Sequence, residues 1–321
     1  MTELDALILR RNAFKSFASD AKSNLGHAYL LVCEDGLARE RLLTLMAKSV
    51  FCPRICGECA TCKGIEDRSY LDVVFFDGAE MKVPDITDLT ETAMIKPVLG
   101  DRKIYLIDNA DKLSPQAQNK LLKTYEEPPA YLTVILACSS ENGILTTIKS
   151  RAKKLYFDSF TAREIIDYLT ENGADAREAD VAAAVSNGSL ERAEKFLHSE
   201  TFASLYDGCF TIMNELTASG KIPELVFREE FNKENVKISF DIMEIILCDV
   251  MKIKSGSGLP LLNDGREYDI KKIAEKHTAQ SAAMSLAAIN EGRKLLNSNV
   301  SSVSAAESVL FKILEAKYKW Q

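Results

Sequence analysis

Five short apolar runs, separated by helical patterns, leave this chain few folds to choose from. They are Ala28–Val32 (AYLLV), Val73–Phe76 (VVFF), Lys103–Asp108 (KIYLID), Leu132–Cys138 (LTVILAC) and Lys154–Phe157 (KLYF). Their hydrophobicity is near-continuous rather than alternating, which predicts strands buried on both faces of a parallel sheet. The helical stretches between them then serve as βαβ crossovers. One crossover helix is marked at both ends. Ser114 offers an N-cap and Pro115 sits in the first turn, where proline is tolerated. Ala117, Leu121, Leu122 and Tyr125 follow at helical spacing, and Glu127-Pro128-Pro129 stops the helix.

After about Phe160 the strand pattern ends. Residues 161–198 read as a small helical unit, with Asn172-Gly173 and Asn187-Gly188 as breaks. Residues 199–321 are again helical, interrupted by a loop expected at 254–264 (KSGSGLPLLND). The expected organisation is an α/β domain over 1–160, a small helical domain over 161–198 and a larger helical domain over 199–321. Length permits this, since 321 residues suit two or three domains of ~100–200 residues each.

Charge narrows the function. The net charge of −7 makes the chain a poor nucleic-acid binder on its own, because non-specific affinity comes from Lys and Arg neutralising phosphates. A role near DNA therefore belongs in an assembly whose other members supply basic surface, although Lys149, Arg151, Lys153 and Lys154 form a local basic run. No apolar run of ~18 residues is present to span a membrane. The N-terminal stretch, broken by Arg10 and Arg11, lacks a secretory pattern. A cytoplasmic protein is expected.

In that compartment the cysteines should be reduced. Four of the eight, Cys52, Cys56, Cys59 and Cys62, cluster in a pattern that suits zinc, which favours four thiolates presented from tight turns. Pro53 and Gly57 suit such turns, and Cys59-Ala60-Thr61-Cys62 can open the next helix. The alternative is four unliganded thiols. Cys33, Cys138, Cys209 and Cys248 lie in apolar contexts and read as small core residues. His27, His198 and His277 are scattered and make no catalytic pattern.

A phosphate-binding loop would be expected after the first strand, reading GxxxxGK[ST]. Here the turn is Cys33-Glu34-Asp35-Gly36-Leu37-Ala38-Arg39-Glu40. Cys33 and Ala38 stand where the glycines belong, Arg39 replaces Lys, and Glu40 replaces the magnesium-binding hydroxyl. Glu34, Asp35 and Glu40 add negative charge where a triphosphate would sit. At the end of KIYLID, Asp108 is followed by Asn109, whose amide cannot act as a general base. Either the turn never held nucleotide or the site has been lost. In both cases no ATP hydrolysis is expected here.

The runs Lys103–Leu113 (KIYLIDNADKL), Ala117–Pro129 (AQNKLLKTYEEPP), Thr133–Ser139 (TVILACS) and Ile148–Ala152 (IKSRA) are similar to the AAA+ core of bacterial clamp loaders. Gly26-His27-Ala28 and the cysteine cluster fit the same pattern. Gly188–Ala193 resembles the last helix of the family's small lid domain, with Arg192 at the sensor-2 position. With no nucleotide to sense, an ion pair is the expected role for Arg192. Asn297–Val300 with Ala306-Glu307 resembles the end of the collar domain. Two departures stand out: Arg151 is followed by Ala152 where the family writes Cys, and the first cysteine gap is shorter than usual.

The resemblance implies an AAA+-type parallel-sheet domain with a zinc-binding insertion at 52–62, a helical lid and a helical collar. It further implies a subunit of DNA polymerase III that binds structural zinc and no nucleotide. Arg151, with Ser150, would be an arginine finger acting in trans on a neighbour's ATP. Implied partners are gamma or tau ATPase subunits and the delta subunit, with the sliding clamp and primer-template DNA engaged through the complex and no membrane. Within the family the alternative is an ATP-hydrolysing gamma or tau type, against which Cys33, Ala38, Arg39, Glu40 and Asn109 speak. A zinc module reading nucleic acid directly is disfavoured by net charge and the lack of interleaved stacking aromatics.

Overall fold

The computed structural model describes residues 2–198, 200–263 and 265–320. Ser199, where the two helical parts were expected to divide, and Asp264, at the end of the expected loop, lie outside them. The chain packs into two compact units, one of residues 1–164 with 189–191 and one of 165–188 with 192–321.

In the first unit, β1 (Ala28–Val32), β2 (Val73–Asp77), β3 (Lys103–Asp108), β4 (Leu132–Cys138) and β5 (Lys153–Tyr156) form one sheet in the order β2-β3-β4-β1-β5. Every pairing is parallel, with Ala28 opposite Val134, Tyr29 opposite Lys153 and Val73 opposite Ile104. The parallel α/β core expected from continuous hydrophobicity is therefore present. β4 is buried throughout and β1 and β3 nearly so, whereas the edge strands β2 and β5 are half-exposed. β5 lies one residue earlier than KLYF suggests. At an edge only one side chain in two need be apolar, and Leu155 alone is buried there.

The helices of this unit are α1 (Glu3–Leu9), α2 (Asn12–Ser23), α3 (Gly36–Phe51), α4 (Ala60–Glu66), α5 (Val83–Ala93), α6 (Pro115–Glu126) and the single turn α7 (Thr146–Lys149). α6 begins as expected, the Ser114 hydroxyl accepting from the Ala117 amide at 3.2 Å. Ala117, Leu121 and Tyr125 are buried under it, while Leu122 is half-buried.

Then come α8 (Ala162–Glu171), α9 (Ala176–Val185), α10 (Leu190–Leu197), α11 (Glu200–Glu215), α12 (Ile222–Leu225), α13 (Val236–Ser255), α14 (Glu267–Glu275), α15 (Ala279–Asn297) and α16 (Ser302–Lys319). The second unit is thus helical, and its irregular segment between α13 and α14 falls where the loop was expected. Phe240, Ile246, Ile289 and Leu310 are fully buried in its core. Gly292 lets α15 approach closely, since a Cβ there would come within 2.4 Å of Val309 and 2.9 Å of Phe240. Among the described residues no helix is long and apolar enough to cross a membrane.

Candidate functional site

Ligands of open parallel sheets sit outside the carboxyl ends of the strands. Here those ends carry Cys33, Asp108 and Ser139, and α3 starts at the first of them. Asp35 caps α3, its carboxylate accepting from the Ala38 amide at 2.7 Å. The other oxygen of Asp35 accepts from the Ser189 hydroxyl at 2.8 Å and the Glu191 amide at 3.0 Å. Glu191 in turn accepts from the Gly36 amide at 2.8 Å. Two amides at the start of α3, the groups that would hold a phosphate, therefore already hold carboxylates.

Arg39 spans the space between strand ends. Its Nε donates to the Asp108 carboxylate, Nη1 donates to the Cys33 carbonyl at 3.0 Å and Nη2 donates to Asn109 Oδ1 at 2.8 Å. Burial opposes its charge, but the hydrogen bond to Asp108 and the negative charge around it, Asp108 foremost, together outweigh burial, so its pKa is raised. Asn109 adopts a left-handed conformation (φ 49°) and its Nδ2 donates to Asp77 at 2.9 Å. Glu40 pairs with Arg68. Burial pushes the Cys33 thiol up to about 12, which leaves it inert. The cleft beside these groups, about 510 Å³, is lined by the carboxylates of Glu34, Glu40, Asp108 and Glu191 against the single guanidinium of Arg39.

The cysteine cluster closes between α3 and α4. The sulfurs of Cys52, Cys56, Cys59 and Cys62 all lie within 4.8 Å of one another. Cys52 to Cys56 is 3.8 Å and Cys56 to Cys62 is 4.0 Å. A tetrahedron with metal–sulfur bonds of ~2.3 Å has edges of ~3.8 Å, so the group fits a metal ion of that size. Ile55 (φ 48°) and Gly57 (φ 74°) make the left-handed turns that bring the sulfurs together. Cys59 caps α4, and its sulfur accepts from the Cys62 amide at 3.4 Å. The Cys59 amide likewise donates to the Cys56 sulfur at 3.4 Å. That amide brings the Cys56 thiol down to about 6, whereas burial pushes Cys62 up to about 12. Glu66, at the end of α4, pairs with Arg41 and Lys48 of α3 and ties the two helices together.

Arg151 lies in the short connection between α7 and the edge strand β5. Its Nη2 pairs with Glu126 at 2.8 Å and its Nη1 donates to the Thr147 carbonyl at 3.1 Å. The side chain is 39% exposed. Ser150 donates to the same carbonyl at 3.0 Å. In the second unit, Arg192 acts electrostatically on Asp241, which burial raises and Arg293 lowers. Cys138 and Cys209 are buried, but Cys248 is only half-buried.

The roles of Ser189 and Glu191 were not expected from sequence. Asp35 ahead of Gly36 carries an N-cap signal, but nothing local marks Glu191, 155 residues from the amide it meets.

Two family profiles match this chain: one described as DNA polymerase III, delta subunit, over residues 9–161, and one as DNA polymerase III, delta subunit, C terminal, over 209–304. The chain is 28% identical to DNA polymerase III subunit delta' of Bacillus subtilis over 311 residues, covering 93% of this chain and 94% of that one. It is 34% identical to the tau subunit of the same organism over 176 residues, covering 53% of this chain and 30% of that protein. A solved gamma subunit-related protein of Thermotoga maritima aligns with 95% of this chain and 100% of its own length, at TM-score 0.44 and 16% identity.

Proposed function

The chain belongs to the DNA polymerase III delta-subunit family, and from that membership we propose a clamp-loader subunit that binds no ATP and activates a neighbour's ATP site. The observation that carries the first half is the state of the phosphate loop. Asp35 and Glu191 occupy the α3 amides, and Arg39 bonds Asp108, Asn109 and the Cys33 carbonyl at once. A triphosphate would have to displace two carboxylates from the helix start and meet Glu34 and Glu40 beside it. The gamma or tau alternative needs a lysine and a hydroxyl at positions 39 and 40, which here are Arg and Glu.

The second half rests on Arg151 as the trans-acting arginine finger, with Ser150 beside it. Its position ahead of an edge strand and its partial exposure support this reading. Releasing it from Glu126 costs little, because an exposed ion pair is worth only ~0–1 kcal/mol. We further propose zinc as the ion held by Cys52, Cys56, Cys59 and Cys62, since four thiolates with tetrahedral spacing suit it. The metal would supply structure and no catalysis. Residues 161–198 would form the lid and 199–321 the collar that joins the subunit to gamma or tau ATPase subunits and delta in the cytoplasm. Clamp and primer-template DNA would be met through the complex.

Equilibrium titration with labelled ATP tests the reading. The purified chain should show no saturable binding in the micromolar range, and micromolar affinity would falsify it.

A further inference from the structure

Apart from Asp77, which accepts from Asn109 of the Arg39 network, the face of the first unit formed by β2 and α5 is used by neither the cysteine cluster nor the Arg39 site. Between this edge strand and the helix runs a groove of about 700 Å³ with an apolar floor that includes Leu71, Val74, Phe76 and Leu89. Its rim is acidic. Asp77, Glu80, Asp85 and Asp88 line it; Asp77 accepts from the Ala79 amide and Asn109, and Asp85 from the Lys82 amide, but among the described residues none of the four forms an ion pair with a lysine or arginine side chain. The one cation lining it, Lys103, is buried and donates to the Thr92 and Ile95 carbonyls at 2.8 and 3.2 Å, so it leaves the rim uncompensated.

That lysine has a second consequence, because it fixes one end of the segment after α5. Asp72, fully buried, fixes the other end: its two oxygens accept from the Val98 and Leu99 amides, each at 2.7 Å. The segment is thereby held rigid while its apolar side chains point outward, Ile95 59%, Val98 69% and Leu99 56% exposed. Leu71, 61% exposed, lines the groove and is next in sequence to Asp72, which holds the loop, so the two features lie close at the start of β2. Two buried charges spent on displaying aliphatic side chains to water make sense if something covers them, since exposed apolar patches of this kind mark interaction sites. A loop already ordered also binds without a further entropic cost.

The uncompensated rim decides what covers it. Four carboxylates repel nucleic acid and acidic protein surfaces alike, and favour cationic groups. We propose that the groove between β2 and α5, together with the 95–99 loop, docks a basic amphipathic segment of a protein partner. Its aliphatic side chains pack on Leu71, Val98 and Leu99, and its lysines or arginines meet Asp77, Glu80, Asp85 and Asp88. This surface is independent of ATP binding and of Arg151.

The test uses the full chain and two labelled synthetic peptides, one of alternating leucine and lysine and the same peptide with glutamate for lysine, followed by fluorescence anisotropy. The lysine peptide should bind saturably and the glutamate peptide should not. Asp85→Lys with Asp88→Lys should weaken binding by about tenfold or more, and so should Val98→Ser with Leu99→Ser at the same salt concentration. Charge reversal at two exposed acids of the second unit, Glu224→Lys with Glu234→Lys, should leave affinity unchanged. Unaltered melting temperatures guard against misfolding. Wild-type affinity in both groove variants, or equal weakening by the second-unit control, overturns the proposal.

Discussion

Arg39 stands where the proposed phosphate loop would carry a lysine of the same sign, and its geometry explains why the two are not interchangeable. A lysine presents one mobile point charge, whereas the guanidinium is a planar fork that can serve several acceptors at once. Here the acceptors are Asp108, Asn109 and the Cys33 carbonyl, all at strand ends. Arg39→Ala would leave Asp108 with the Asn109 amide but no cation, and would leave the buried Cys33 carbonyl without its guanidinium donor. It should lower the stability of the first unit by roughly 1–3 kcal/mol in urea denaturation, without creating ATP binding, because Asp35 and Glu191 still hold the α3 amides. Arg151 belongs to the same scale with the opposite expectation. Arg151→Ala loses a partly exposed pair with Glu126 and an exposed bond to the Thr147 carbonyl, which Ser150 still serves, so stability should change by under about 1 kcal/mol. In the assembled loader, however, clamp- and DNA-stimulated ATP turnover should fall. Fingers are worth ~10³–10⁵ at the site they serve, and the drop should be partial because other ATP sites keep theirs. Unchanged turnover and loading by a correctly assembled variant complex would remove Arg151 from the mechanism.

The α3–turn–α4 element depends on the four thiols to different degrees along its length. Residues 52–59 are held by little besides sulfur contacts and two left-handed turns, whereas α4 is anchored by fully buried Ile65 and by Glu66 pairing with Arg41 and Lys48. The purified protein should carry one zinc per chain by elemental analysis. Chelation should then remove hydrogen-exchange protection from 52–59 while α4 and the sheet keep theirs. Protection unchanged by chelation would mean that the thiols need no metal. Cys56→Ser should have the same local effect as the chelator, with zinc content falling well below one per chain.

At the scale of the whole molecule, the second unit carries its own pH dependence. His277 is buried between α14 and α15, with Nδ1 3.2 Å from the Ser281 hydroxyl and Nε2 without a partner. Burial first, then the nearby charge of Lys317, lowers its pKa from 6.5 to about 3. A lowered folded-state value means that the unfolded chain takes up the proton first. Stability is therefore full above pH 6.5 and declines as pH falls toward 3, by ~1 kcal/mol per unit. His277→Gln should flatten the stability profile of this unit between pH 6.5 and 5, above the ordinary carboxylate range. The same slope in wild type and variant would assign the effect elsewhere.

The sequence by itself determined the sheet, the order of helices and the cysteine group. Continuous hydrophobicity over Leu132–Cys138, the Ser114-Pro115 start of α6 and the spacing of Cys52 to Cys62 are local signals, and each formed the element it implied. The side chains at 38, 39, 40 and 109, on which the proposed absence of ATP binding rests, can also be read without coordinates. What they meet in the fold could not be read. Asp35 looked like charge set against a triphosphate; its cap on the Ala38 amide is local, but only folding brought Ser189 and Glu191 to meet it. Likewise, nothing in the run 71–103 says that Asp72 and Lys103 converge on one loop and hold Val98 and Leu99 to solvent. Hydrophobic period and capping act over a few residues, so sequence carries them. Pairing of buried charges with distant backbone depends on where the chain returns, which tertiary structure alone decides.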